Sequence, residues 1–500
     1  MGIDYHFYLR SENVGECLHG RRMIFTNAKE ITSGNVIDVL KKAIAVHTQN
    51  ALEIQYLWNY YTGIQPILER TKDVRPEINN KIIENRAAEI VNFKTGYLMR
   101  EPVKYISKSK KIREINLLND YSATVEKDSK DREISDFMYI CGTSYKMILP
   151  NGDDTEESPF EIDVLQPEST FVVYENDIHK NPVVGVTYFK DDNRNIHYYC
   201  YTKDMYYEIV NFRIISAKPH ILGDIPIIEY PLNLPRMDII ELVISLLDAI
   251  NLTTSNQEDG LEQFIQALLL FHNVEIDATG IRELRELGAV KYRDISEAMK
   301  GEITYLTSIL NQGETNALVN RMYQDVLEIC GMPSQSDGNS SDSSNNGAVV
   351  LKNGWYSAET MAVNTELMFK KSERKLLKIA LNICRILSDI DLKLSDIKIK
   401  FTRRNYENVQ TKAQVLVSML SCEKIHPKLA FEYCGMFTDP DEAYEMSEQY
   451  LQELERKKLN DNNRTSERAT AESHQRSEPN RSSPAQNRER ETGSSESQEN

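Results

Sequence analysis

The chain is poor in cysteine. Its seven (Cys17, Cys141, Cys200, Cys330, Cys384, Cys422 and Cys434) are odd in number and scattered, with no C-x-x-C pair. Neither a disulfide framework nor a zinc ribbon is built that way, and a reducing compartment is expected. Long apolar runs are missing too. The best, Ile239 to Leu252, is broken by Glu241 and Asp248 and falls short of the roughly 18 apolar residues of a membrane span. The start, MGIDYHFYLR, lacks the apolar core of a signal peptide, and His6 stands where a myristoylation signal needs Ser or Thr. Export, anchoring and membrane association are not expected. Positive charge is in deficit, with 59 Lys plus Arg against 76 Asp plus Glu, a net of −17 over 500 residues. That excludes a tight duplex clamp, which gains its affinity by neutralising phosphates. No G-x-x-x-x-G-K-[ST], no strand-borne G-x-G-x-x-G, no H-E-x-x-H and no G-x-S-x-G occurs, and the nine His are dispersed. An ATP-driven motor, a catalytic zinc and a serine nucleophile are therefore not expected, nor is any cofactor.

What is present reads as about three domains by length, α+β and mainly helical. Apolar residues recur at helical spacing from Gly34 to about Thr62, and Asn79 to Leu98 reads as a second helix. Val183–Tyr188, Ile196–Tyr201 and Met205–Ile209 alternate with period two between polar turns, which predicts an antiparallel meander. After Pro235 the residues Ile239, Leu242, Val243, Leu246 and Ile250 share one face of a helix running to about Leu261. A small α/β insert follows: a strand over 267–276, a short helix over 281–287 and a strand over 302–307. A second helix, 315–329, closes a hairpin with a compact tip. A long helix spans 348–388, its start bent by Gly354, then a strand (397–401) and three helices (409–420, 427–434 and 440–459). From Asp461 onward there is no aromatic and no Val, Ile, Leu or Met. Such a tail cannot offset its ordering entropy and is expected to be disordered.

The charge is uneven. Residues 236–331 hold 16 acids against 7 bases, a net of −9, whereas the long helix holds seven bases and three acids. Between them runs MPSQSDGNSSDSSNNG, a polar loop of a length that is either functional or a linker. Paired carboxylates occur at Asp153-Asp154, the residue type that holds metal ions for phosphoryl displacement, but their flanks read as an exposed turn. Asp191-Asp192 reads the same way. The aromatic group Tyr56, Trp58, Tyr60 and Tyr61 lacks the interleaved bases of a base-stacking platform and is read as packing or subunit contact.

Several strings, in order, resemble portal (head-to-tail connector) proteins of long-tailed bacteriophages of the siphophage type. The most specific is NNKIIENRAAEIVNFKTGYLMREPVKY from Asn79, preceded by YYTGIQPILER from Tyr60. It departs at Arg100-Glu101, where many relatives have Gly before Pro-Val. Further matches are Gly142-Thr143-Ser144-Tyr145, Gln166-Pro167 leading to Val172-Val173-Tyr174, Tyr201-Thr202-Lys203-Asp204, and LLDAINLTTSNQEDGLEQF from Leu246.

The resemblance implies a non-enzymatic subunit of a dodecameric ring at one capsid vertex of the virion, assembled in the host cytoplasm. Its parts would be a wing (1–235 with 348–404), stem helices (236–264 and 312–331), a clip (265–311), a tunnel loop (332–347), a crown (405–459) and a disordered tail (460–500). It implies nucleation of capsid assembly, passage of double-stranded DNA during packaging and ejection, and partners in the terminase large subunit, a head-completion or tail adaptor, and the major capsid and scaffolding proteins. DNA-facing residues would be Ser334, Gln335, Asn339, Ser340, Ser341, Asn345 and Asn346, with Lys352 behind them. Two rivals stay open: a metal-dependent nucleic-acid enzyme using Asp153 and Asp154, and a capsid-associated scaffold without a channel.

Overall fold

A computed structural model describes residues 20–108, 111–152, 157–265, 268–272, 274–275, 293–294, 302–306, 312–333, 354–388, 390–403, 409–437 and 440–475. It forms two compact units that divide after Glu407. In the first, β1 (Ile24–Thr26) precedes α1 (Val36–Tyr61), α2 (Arg86–Leu98), β2 (Lys104–Ser107), α3 (Ile112–Thr124) and α4 (Lys127–Cys141). Strands β3 (Thr143–Pro150), β4 (Phe160–Leu165), β5 (Thr170–Glu175), β6 (Pro182–Lys190), β7 (Ile196–Tyr201), β8 (Met205–Val210), β9 (Arg213–Pro219) and β10 (Ile227–Pro231) follow. The hairpin is α5 (Ile244–Ile265) and α6 (Gln312–Ile329), with β11 (Leu268–His272), β12 (Val274–Glu275), β13 (Arg293–Asp294) and β14 (Glu302–Leu306) between them. The long helix is α7 (Trp355–Leu387), followed by β15 (Ile397–Lys400). The second unit holds α8 (Val409–Leu420), α9 (Pro427–Tyr433) and α10 (Pro440–Gln475).

The expected meander is present as β6, β7 and β8 in a six-stranded sheet of order β1-β5-β6-β7-β8-β9, antiparallel except for the β1–β5 pair. Alternation along β7 buries Tyr198 and Cys200 on one face, and β8 buries Tyr207 and Ile209. That face packs on Val36, Val39, Leu40 and Ala43 at the start of α1. The far half of α1 (Ile54, Tyr56, Leu57, Tyr60) enters a second, larger core shared with α2, α4 and α7. Smaller sheets, β10-β3-β4 and β15-β2, line that core, and β11–β14 and β12–β13 are antiparallel pairs. In the second unit Phe431 stacks on Phe437 with ring centroids 5.2 Å apart and meets Tyr444 edge-on at 5.8 Å. Among the described residues no helix is long and apolar enough to cross a membrane.

Four expectations need correction. The second helix starts at Arg86 rather than Asn79, because Asn85 caps it and the preceding amides have other partners, given below. Regular helix after Pro235 starts at Ile244; residues 239–243 form a tight turn, in which Val243 N–H bonds to the Ile240 carbonyl. Leu242 is 47 % exposed instead of sharing the buried face with Val243 and Ile250. Gly354 does not bend the long helix: with φ +79 it stands before it as the N-cap, a conformation costly for any residue with a Cβ. Finally, α10 continues to Gln475, into the tail expected to be unfolded. The lack of apolar residues removes the usual driving force for tertiary anchorage. It does not stop a nucleated helix from growing through good helix formers such as Glu467, Arg468, Ala469 and Ala471. The short helix expected at 281–287 lies outside the described residues.

Candidate functional site: the hairpin and its anchorage

Every residue expected to face DNA (Ser334, Gln335, Asn339, Ser340, Ser341, Asn345, Asn346 and Lys352) lies outside the described residues, as do Asp153 and Asp154. The latter fall in the connection of the β3–β4 hairpin, whose strands pair up to Pro150 and Phe160. Among the described residues no group of three side chains is placed to hold a metal ion. What is described is the machinery that holds the acidic hairpin on the rest of the unit.

The hairpin leaves the sheet region through the Pro235–Arg236 corner, where Arg236 adopts φ +56. The Arg236 guanidinium forks onto Glu229 at 2.6 and 2.8 Å, and Glu229 also accepts from the hydroxyls of Tyr174 and, at 3.2 Å, Thr143. Burial opposes ionisation of Glu229, but the Arg236 charge outweighs it and holds the carboxyl below its ordinary value. Next comes a reciprocal cap. Asp238 accepts from Ile240 and Glu241 N–H at 2.6 and 2.9 Å, while Glu241 accepts from Asp238 N–H at 2.9 Å. Glu241 also accepts from Gly20 N–H and from Arg21, whose guanidinium reaches Glu53 as well.

Farther along, α5 is harnessed by the segment read as helix from Asn79. Asn80, Ile82 and Glu84 donate their backbone N–H to Asp259 (2.7 Å), Ser255 (2.9 Å) and Asn251 (2.8 Å). The spacing has a simple cause. Two extended residues advance about 6.6 Å and four helical residues advance about 6.0 Å, so alternate amides of a strand meet every fourth residue of a helix. Asp259 is the busiest member: it also binds Lys72, Arg70 (3.0 Å) and the Asn80 amide group (3.0 Å). Tyr60, from the aromatic group read as packing, donates to Asp248 at 2.8 Å; burial pushes that carboxyl up to about 6. We expect Asp259→Ala to cost about 1.5–3 kcal/mol locally, as for hydrogen bonds to charged groups. Hydrogen exchange at the Asn80 amide should then rise at least about tenfold; an unchanged rate would refute the harness.

Gln257 bonds Asn316 across the hairpin at 3.0 Å. One face of the C-terminal end of α6 is buried: Val326 and Leu327, with Cys330 just beyond the helix, enter the large core, and Lys94 donates to the Gly331 carbonyl at 3.3 Å. Burial lowers the Lys94 pKa to about 8. The acidity of the hairpin is thus divided. Asp238, Glu241, Asp248, Asp259 and Glu262 are bonded within the chain, whereas Glu258, Glu314, Asp325 and Glu328 are exposed. Part of the net −9 counted over 236–331 therefore serves anchorage within the chain. Among these described acids, the second group is the one left exposed to act on a polyanion.

A family model described as Phage portal protein, SPP1 Gp6-like, matches residues 40–460 of the chain. No curated protein matches it.

Proposed function

The chain belongs to the SPP1 Gp6-like phage portal proteins, and from that premise we propose that it assembles into a ring at one capsid vertex and conducts double-stranded DNA. The observation that carries the reading is the family match, which runs unbroken across both units and the hairpin. The pinned α5–α6 hairpin is the stem, the paired strands between its helices belong to the clip, residues 332–347 are the tunnel loop, and α8 to α10 are the crown. Exposed apolar side chains (Leu252 and Leu318 on the hairpin, Leu367 on α7, Val417 and Tyr433 in the second unit) fit contacts with neighbouring copies. The exposed acids of the stem repel phosphates within roughly a Debye length, about 10 Å at 0.1 M salt, which keeps DNA moving rather than bound. The ring is a dodecamer, a platform for terminase and the tail adaptor, and a nucleus for capsid and scaffolding proteins; it carries out no catalysis itself.

Electron microscopy of the purified protein tests this directly. Rings with a central hole are expected; a monomer or filament under all conditions sinks the proposal. In an assembly system, deleting 339–346 should leave rings intact and cut packaged DNA several-fold, whereas Asp153→Ala with Asp154→Ala should leave packaging unchanged. Loss of a metal-dependent activity in that double variant would favour an enzyme.

A further inference from the structure

A cleft of about 960 Å³ lies between the six-stranded sheet, β10 and α7. Its lining includes the apolar Val172, Tyr174, Val183, Ile225 and Ile227, of which Val183 is half-buried and the others are buried. Its α7 wall is cationic, with Arg374, Lys375 and Lys378. Lys378 is held by Asp224 at 2.7 Å; Arg374 and Lys375 make no direct hydrogen bond or ion pair among the described residues, although the charges of Glu229 and Asp224 act on Lys375. The opposite rim is mixed, pairing Lys29 with Glu30 and Lys203 with Asp204 in sequence. Lys375 stands twenty residues into α7, about 30 Å from its start, so the cleft is remote from the tunnel-loop root.

We propose that residues 1–19 of this chain dock in the cleft as an extended strand. Four observations converge on that occupant. Ile3, Tyr5, Phe7 and Leu9 alternate with Asp4, His6, Tyr8 and Arg10, the period of a strand with one apolar face. That face suits the apolar part of the lining around Val183, and Asp4, on the opposite face of such a strand, matches Arg374 and Lys375 in charge. The segment holds three acids (Asp4, Glu12, Glu16) and one base (Arg10), complementary to the α7 wall. The chain also starts its described course beside the cleft. Met23 packs on Val172, Tyr174, Ile225 and Ile227, and Arg21 N–H bonds at 3.0 Å to the carbonyl of Arg236, whose guanidinium holds the cleft residue Glu229. Nineteen extended residues reach roughly 60 Å, so distance does not limit docking.

A benzophenone side chain placed at Phe7 of the full-length assembled protein tests the inference. On irradiation, crosslinks should map by mass spectrometry to 172–183, 202–205 or 374–379. Arg374→Glu with Lys375→Glu should cut their yield at least fivefold, and adding Asp4→Lys should restore part of it. Should the charge reversal fail to fold, Arg374→Gln with Lys375→Gln takes its place, with a smaller expected loss. Crosslinks elsewhere, or a yield indifferent to these changes, overturn the proposal. So does a small anionic molecule found in the cleft with no Phe7 crosslink.

Discussion

Glu373→Ala should lower the melting temperature of the first unit by about 4–6 °C. Glu373 is fully buried on α7 and accepts from the hydroxyls of Tyr105 and Tyr230, each at 2.6 Å, while Lys127 approaches at 2.9 Å and Lys146 at 3.6 Å. Asp131 binds the same two lysines, so the cluster holds two cations and two anions in balance. It ties α7 to β2, α4, β3 and β10 at one point. Removing one member of a buried ion pair costs about 3–5 kcal/mol, because the remaining charge is left uncompensated. At roughly 2.1 cal/mol/K of unfolding entropy per residue, a unit of this size turns that loss into the stated shift; a change under about 1 °C would contradict it. The double change Glu373→Leu with Lys127→Met restores the charge balance and should recover much of the loss.

The same cluster fixes a pH dependence. Burial alone would raise the Glu373 pKa, but Lys127 and Lys146 overcome it and hold the carboxyl far below its ordinary 4.5. A depressed acid contributes stability that is present above about 4.5, its unfolded value, and is lost as pH falls through the folded value. Glu373→Gln should therefore flatten the acid limb of the stability curve below pH ~4.5. Lys127 acts in the opposite sense, since burial would lower its pKa but Asp131 and Glu373 raise it well above 10.5. Its contribution is full below that value and is lost only as pH climbs through the folded one.

Most of this architecture was legible where side-chain periodicity reports burial. The meander, α1 and α6 appear within a few residues of their expected spans, and α7 ends where expected, because one face of each must meet a core. The failures share another cause. Asn79 to Asn85 reads as the start of a helix, yet its alternate amides are taken by Asn251, Ser255 and Asp259, about 170 residues away in sequence. No local pattern carries that information, although LLDAINLTTSNQEDGLEQF places three polar residues four apart on one helical face, a stripe with no reason to be buried unless something bonds to it. The division of the hairpin acids was illegible for the same reason: composition counts Asp259 and Glu258 alike, and only tertiary contact separates an anchor from a free charge.

Gly142→Ala should be among the most damaging single changes in the chain, because two effects add at one atom. Gly142 ends α4 with φ +76, and an added Cβ would lie 2.1 Å from the Arg236 carbonyl oxygen and 2.7 Å from its carbon. Left-handed backbone costs a residue with a Cβ about 1–3 kcal/mol, and forcing apart a packed contact costs about 1–3 more. The neighbour cannot yield cheaply. The Arg236 carbonyl accepts from Arg21 N–H at 3.0 Å, Gly142 itself accepts from Leu232 N–H at 3.0 Å, and on the other side of the corner a Cβ on Gly20 would lie 2.1 Å from the Pro235 carbonyl oxygen. The corner that launches the hairpin is thus gripped between two glycines, which gives the Gly142-Thr143-Ser144-Tyr145 string a physical cause. Asn separates the two effects. It tolerates left-handed backbone better than Ala, so if strain alone mattered Gly142→Asn would be mild. Since its Cβ meets the same oxygen, Gly142→Asn should lose stability nearly as Ala does, with hydrogen exchange raised across 239–250. Gly96→Ala is the control: it lies inside α2 with nothing within 4 Å of an added Cβ and should stabilise by about 0.5–1 kcal/mol. A Gly142→Asn protein as stable as the parent would show that the corner moves and that the root of the hairpin is not fixed by this contact.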